Sequence, residues 1–165
     1  MEPVSWSISL VLIGFVAAHV LEEALKGFRI FFNTEWFDGT RNCPVGRFKG
    51  VVVDQIGLFA LLTGLSVLGT LFDGRWILVA VGVVTADLVQ HTVFSVAKRG
   101  YTPGSATCVL YLIYLVYFFV RVDPYAPTGD IPAWLAMAAG ASIIVANYIL
   151  ATKAVWRSRN NEVGV

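Results

Sequence analysis

The chain has 165 residues, of which 57% are hydrophobic and only 14% are charged, whereas soluble domains carry about 25% charged residues. This composition excludes an ordinary soluble domain and predicts an integral membrane protein with the lipid bilayer as its main partner. The formal net charge of +1 excludes a strongly basic surface, so we expect no nucleic-acid partner.

Five apolar segments are long enough to cross the hydrocarbon core as helices, which takes about 17–25 residues. They cover residues 5–26, 51–72, 76–97, 104–122 and 132–155. Residues 27–50 interleave aromatic and basic side chains, which is typical of a segment that lies in the membrane interface. We therefore predict an all-α, polytopic transmembrane bundle that forms a single domain over residues 1–165.

The first apolar segment carries three ionisable residues on one helical face. His19 is followed by Glu22 and Glu23 at spacings of three and four residues, so the imidazole and both carboxyl groups point in similar directions. These three residues are candidate metal ligands, and the two glutamates are also candidate catalytic residues.

The second and third segments add further polar side chains. Asp54 and Gln55 are adjacent in the second, and Asp87 and His91 are four residues apart on one face of the third. Asp54, Asp87 and His91 are candidate metal ligands, and Asp87 is also a candidate catalytic residue.

The last two segments contribute residues that suit the walls of a substrate pocket. Tyr111 and Tyr114 are three residues apart on the fourth segment, and Asn147 lies in the fifth. Together with Gln55, these residues are predicted to line the pocket.

The ionisable residues of these segments share one layer of the membrane. At a rise of 1.5 Å per residue they lie about 17–27 Å from the outer ends of their segments. Placing each such group at the bilayer centre costs at least about 2.5–3.5 kcal/mol, so the presence of several in one layer requires an explanation. Three interpretations remain open: a hydrogen-bonded network that fixes packing, a site for a divalent Zn, Fe or Mn ion, or a metal-free site that moves protons.

The sequence resembles the bacterial HxxEE-motif membrane proteins. The signature is His19-Val20-Leu21-Glu22-Glu23, and the resemblance extends to a second histidine, His91, and to the basic Tyr-Pro-Gly turn within residues 98–107. It covers roughly residues 10–150. Where the family often has Asn four residues before the second histidine, this chain has Asp87, which adds negative charge to a site. The resemblance implies a metal-dependent activity of unknown reaction and a location in the bacterial inner membrane.

A second likeness concerns the sequence that follows the signature. Glu22-Glu23-Ala24-Leu25-Lys26 resembles the Glu-Glu-x-x-x-Arg motif of the prenyl-protein endoproteases, with Lys26 in place of the arginine. That family uses further histidines, whereas this chain has only two.

We expect a membrane enzyme that holds a divalent metal and acts on an apolar or lipid-like molecule, with hydrolysis the preferred reaction. Two alternatives are a metal-free, acid-catalysed isoprenoid cyclase or isomerase and a transporter of metal ions or protons. The outer halves of the segments offer few polar groups for a transport path, which favours a site that opens inward.

The distribution of basic residues predicts the orientation of the chain. Ten of the 12 Lys and Arg residues fall on the side that holds residues 27–50, residues 98–103 and the C-terminus. Because basic residues concentrate on the cytoplasmic side, we expect the N-terminus outside and the C-terminus inside. A reporter fused after Val165 should act as a cytoplasmic protein, and one inserted between Asp123 and Asp130 should not. Cytoplasmic activity of the second reporter would reverse the orientation.

Overall fold

The computed structural model describes residues 4–27, 31, 48–122 and 133–163 as helices joined by turns, without a strand among them. The helices are α1 (Trp6–Lys26), α2 (Phe48–Leu71), α3 (Arg75–Lys98), α4 (Cys108–Arg121) and α5 (Ala133–Val163). The predicted all-α fold is confirmed. Most of the predicted interfacial segment 27–50, and the side chain of Asp54, lie outside the described residues.

Three helices are long and apolar enough to cross a membrane. They are Trp6–Lys26, Arg75–Lys98 and the Ala133–Leu150 part of α5, and the described parts of α2 and α4 are shorter apolar helices. At about 1.5 Å per residue, the 14 residues of α4 extend only about 21 Å. The chain therefore has the character of a membrane protein.

The predicted fourth span was expected to start at residue 104, but α4 begins only at Cys108. Pro103 lacks a backbone N–H, and Gly104 has a φ of 90°, a left-handed conformation that favours glycine. Residues 103–107 consequently form a turn that lies against α1 and α3 instead of extending the helix.

Helix α3 is central in the bundle, because it contacts α2, α4 and α5, while α1 packs on α2 and α4. The most extensive of these contacts joins α3 to α5, where two glycines let the backbones meet. A Cβ at Gly82 would lie 2.0 Å from the carbonyl oxygen of Met137, and one at Gly140 would lie 1.9 Å from that of Val79. Small residues allow this close approach in membrane bundles, where packing replaces the hydrophobic effect between helices.

Polar side chains near the N-terminal end of α1 join it to the C-terminal end of α2. Ser9 Oγ lies 3.0 Å from the carbonyl oxygen of Ser66 and 2.6 Å from Thr70 Oγ1. The backbone N–H of Val4 also donates to the carbonyl oxygen of Gly69. These groups satisfy one another's hydrogen-bonding capacity, so they hold the two helices together.

The contact between α3 and α5 predicts how glycine substitutions affect stability. Gly82→Ala should lower the melting temperature in detergent by at least about 3 °C, because the new methyl group forces two backbones apart at a cost of about 1–3 kcal/mol. Gly64→Ala is the matched control: its Cβ would meet nothing within 4 Å, and removing a helical glycine is neutral or mildly stabilising. Equal melting temperatures for the two variants would contradict the close crossing.

Candidate metal centre

Four ionisable side chains from α1 and α3 meet in the interior. His19 and His91 have no exposed surface, and Glu23 and Asp87 are 5% and 6% exposed. The spacing of four residues on each helix, His19 to Glu23 and Asp87 to His91, places one imidazole and one carboxylate on the same face of each helix, about one turn apart.

The imidazole Nε2 atoms of both histidines lie close to both carboxylates. His19 Nε2 is 3.1 Å from Asp87 Oδ2 and 3.7 Å from Glu23 Oε1. His91 Nε2 is 3.1 Å from Glu23 Oε1 and 3.8 Å from Asp87 Oδ1. Both 3.1 Å contacts are within hydrogen-bonding distance. The four groups therefore lie next to one another, each imidazole close to both carboxylates.

Cys108 is a site residue that the sequence analysis left out. It is buried, and one ligand atom each from His19, His91 and Cys108 lie within 4.8 Å of one another, so this group could hold a metal ion. A single cysteine at the start of an apolar segment gives no metal-binding pattern. Its proximity to the histidines results from the turn at 103–107, which the hydropathy of the segment does not reveal.

Glu22, the neighbour of Glu23, binds Tyr101 and the turn instead of the two imidazoles. Its Oε1 accepts hydrogen bonds from Tyr101 Oη (2.7 Å), the Gly104 N–H (3.2 Å) and the Ala106 N–H (3.4 Å). Its Oε2 accepts from the Thr107 N–H (2.8 Å) and Thr107 Oγ1 (2.5 Å). Burial and the hydrogen bond to Glu22 raise the pKa of Tyr101 to about 12, which keeps its hydroxyl a donor.

The turn held by Glu22 packs directly on both imidazoles. A Cβ at Gly104 would lie 2.4 Å from His91 Cε1 and 3.0 Å from His19 Cε1. Thr107 Oγ1 is also 2.9 Å from His19 Nδ1, the ring nitrogen that faces away from Asp87. The turn thus forms one wall of the site.

Two predicted pocket residues also reach the site. Gln55 Nε2 donates to Glu23 Oε2 at 3.3 Å, and the ring centroid of Tyr111 is 4.7 Å from that of His19. Tyr111 and Tyr114 are fully buried, and their hydroxyl groups have no hydrogen-bond partner among the described residues. Buried hydroxyl groups are rarely left unpaired, so each needs an explanation.

Asn147 was predicted to line the pocket, but the structure places it on an exposed face of α5. Depth along a helix does not fix the rotation of the helix about its axis, and α5 turns other residues toward α3. The position of Asn147 gives no support to a role in the pocket. The prediction for Asp54 concerns a side chain outside the described residues.

A surface cavity of about 310 Å³ adjoins the site. It lies between the C-terminal half of α3 and the residues that begin α4, and its lining is His91, Thr92, Ser95, Val96, Ser105 and Cys108. Phe31 is also near: its ring is 5.8 Å from that of Phe94, which in turn lies 6.1 Å from the ring of His91. An aromatic residue from the segment after α1 thus packs on Phe94, which borders His91.

The hydrogen bonds of Glu22 predict a specific local effect of its removal. Glu22→Ala should leave the N–H groups of Gly104, Ala106 and Thr107 without their acceptor, so their hydrogen exchange should accelerate at least about tenfold. Glu22→Gln retains a carbonyl oxygen and should preserve most of the protection. Unchanged exchange of residues 104–107 in Glu22→Ala would show that Glu22 does not hold the turn.

The comparisons with known proteins identify the same motif whose residues form this site. A family model described as a protein of unknown function with HXXEE motif matches residues 10–119, which include both histidines, Asp87 and the turn at 103–107. The resemblance seen in the sequence is confirmed over this range. No match was found among curated proteins or among solved structures. The chain belongs to the family of HXXEE-motif proteins.

Proposed function

We propose that the chain is a metal-dependent membrane hydrolase that acts on a neutral, apolar molecule. His19 and His91 bind a divalent ion together with Glu23 and Asp87, and the substrate reaches this centre from the bilayer through the cavity beside His91.

The observation that carries the metal centre is the spacing of its donor atoms. Metal bonds of about 2.0–2.1 Å to nitrogen and oxygen, arranged as a tetrahedron, separate neighbouring ligand atoms by about 3.3–3.4 Å. The four distances from the two Nε2 atoms to the two carboxylates are 3.1–3.8 Å, with a different Asp87 oxygen facing each histidine. The group whose ligand atoms all lie within 4.8 Å of one another is His19, His91 and Cys108.

Charge supports the same assignment. Glu23 and Asp87 bring two acidic groups into a region where an unpaired charge is costly. A divalent cation would neutralise both carboxylates and leave the imidazoles neutral. Without a metal, protonated imidazoles would have to supply the positive charge, as in the metal-free interpretation.

The donor set suits a Zn, Fe or Mn ion, and Cys108 is the residue that decides between two arrangements. In the first, the two histidines bind with Glu23 and Asp87. In the second, Cys108 is a ligand beside the histidines, which favours zinc because thiolate is a soft ligand. In either arrangement a bound ion would polarise a substrate carbonyl and make water a better nucleophile at neutral pH.

Tyr111 is placed to assist this chemistry. Its buried hydroxyl lacks a partner within the described residues, although its ring packs against His19. Leaving such a hydroxyl unpaired costs about 1–3 kcal/mol. Donation of a hydrogen bond to the substrate would offset this cost.

The cavity indicates what kind of molecule enters. The described residues of its lining include the hydroxyl groups of Thr92, Ser95 and Ser105, which suit a neutral polar group. Val96 at its rim is 71% exposed. Val89 and Val93 lie on the same face of α3 and are also exposed, so the cavity opens onto an apolar surface suited to lipid.

The outer half of the bundle gives less support to a transporter. The hydroxyl groups of Ser9, Ser66 and Thr70 are engaged with α1 and α2 themselves. They serve the packing of two helices rather than a path for ions.

Metal analysis of the purified protein tests the proposal. Wild-type protein prepared without chelator should carry about one Zn, Fe or Mn ion per chain, and His19→Ala or His91→Ala should remove it while the protein stays membrane-inserted. Asn147→Ala is the control and should retain the ion. Loss of metal in Cys108→Ser, with retention in Asp87→Asn, would favour the arrangement with a thiolate ligand. Wild-type protein that neither carries nor responds to any of these metals would refute the centre.

Reconstitution separates the enzyme from its alternatives. In liposomes the protein should hydrolyse neutral apolar esters or amides, lose this activity in His91→Ala and with chelator, and conduct neither protons nor divalent ions. A flux of protons or divalent ions that disappears when Glu22 or His91 is changed would make the protein a transporter. Turnover of an isoprenoid that survives chelation would instead support the acid-catalysed cyclase or isomerase.

A further inference from the structure

The two glutamates of the motif have different surroundings. Glu23 faces the imidazole Nε2 atoms and Gln55, whereas both oxygens of Glu22 are occupied by hydrogen bonds from the segment 101–107. The sequence assigned metal binding and catalysis to both residues. The contacts of Glu22 point to a separate role.

The hydrogen bonds around Glu22 fix the direction of the hydroxyl group of Thr107. Three backbone N–H groups can only donate, and between them they bind both oxygens of Glu22, so the carboxylate acts as an acceptor. Thr107 Oγ1 has two nearby acceptors, Glu22 Oε2 at 2.5 Å and the Gly104 carbonyl oxygen at 3.2 Å. The shorter, charge-assisted bond to Glu22 takes the single hydroxyl proton.

The orientation of Thr107 in turn fixes that of His19. Because the hydroxyl proton of Thr107 points at Glu22, its oxygen can only accept from His19 Nδ1, 2.9 Å away. Nδ1 therefore carries the proton of the neutral ring. The lone pair is then on Nε2, which lies 3.1 Å from Asp87 and faces the proposed centre.

We propose that Glu22 and Thr107 are positioning residues: they hold His19 in the tautomer that presents the Nε2 lone pair to the metal. This inference rests on the metal centre proposed above. It divides the motif into a ligand pair, His19 and Glu23, and a supporting carboxylate, Glu22, that acts through Thr107. Partners of this kind fix ring orientation and raise the basicity of a ligating histidine, and losing one costs about 10- to 100-fold in metal affinity.

Cobalt binding to purified protein in detergent tests the role of Thr107. Thr107→Val, which has nearly the same shape but no hydroxyl, should weaken Co²⁺ binding at least about tenfold and alter the visible absorption of the bound ion. Thr107→Ser should restore both to near wild-type values. Thr85→Val is the matched control, because the hydroxyl of Thr85 bonds only to the Val81 carbonyl of its own helix.

A purely structural role for Thr107 makes a different prediction. If the role of Thr107 were purely structural, Thr107→Val would lower the melting temperature of the metal-free protein and leave Co²⁺ affinity and the absorption spectrum unchanged. Wild-type affinity and spectrum in Thr107→Val would overturn the proposal.

The tautomer itself can be measured without metal, which separates this inference from the proposed function. The test uses chelator-treated protein that carries His91→Asn, Glu23→Gln and Asp87→Asn and is labelled with ¹⁵N-histidine. The single remaining imidazole is then His19, and no carboxylate is left beside its Nε2 to hold a second proton on the ring. Its NMR shifts should show a protonated Nδ1 and an unprotonated Nε2. The opposite tautomer would refute the relay from Glu22 even if metal binds, whereas the expected tautomer in a protein that never binds metal would leave the relay intact and refute the metal centre.

Discussion

The arrangement of the site depends on the hydrogen bonds between Glu22 and residues 101–107. Non-helical backbone that packs into a helical bundle needs acceptors for its N–H groups, because buried N–H groups without a partner are costly. The Glu22 carboxylate provides them for Gly104, Ala106 and Thr107. This contact holds the turn against α1 and α3. It thereby places Gly104 in contact with both imidazoles and Thr107 within hydrogen-bonding distance of His19. It also places Cys108 beside the two histidines.

Much of the site follows from simple helical geometry. Spacings of four residues and a rise of 1.5 Å per residue are enough to place His19, Glu23, Asp87 and His91 in one layer, and the structure brings these four into contact. Gln55 joins them through Glu23. Depth is predictable because the length of a helix that spans the bilayer is tied to the thickness of the membrane.

The sequence did not reveal which direction each side chain takes around its helix. Glu22 and Glu23 are adjacent and differ by only about 100° around the axis, yet one faces the imidazoles and the other the turn. Asn147 has a suitable depth but lies on an exposed face. The start of α4 was placed too early because Pro103 and Gly104 stop the helix within an apolar run, and the nearness of Cys108 to the histidines follows from that turn.

The central claim is that His19 and His91 bind one metal ion deep in an apolar bundle. X-ray absorption at the edge of the bound metal tests this claim most directly. The account predicts a first shell of nitrogen and oxygen at about 2.0–2.1 Å, with the outer-shell scattering of two imidazoles. Scattering at about 2.3 Å would add the Cys108 thiolate to the shell. A first shell of nitrogen and oxygen without imidazole scattering would contradict the account.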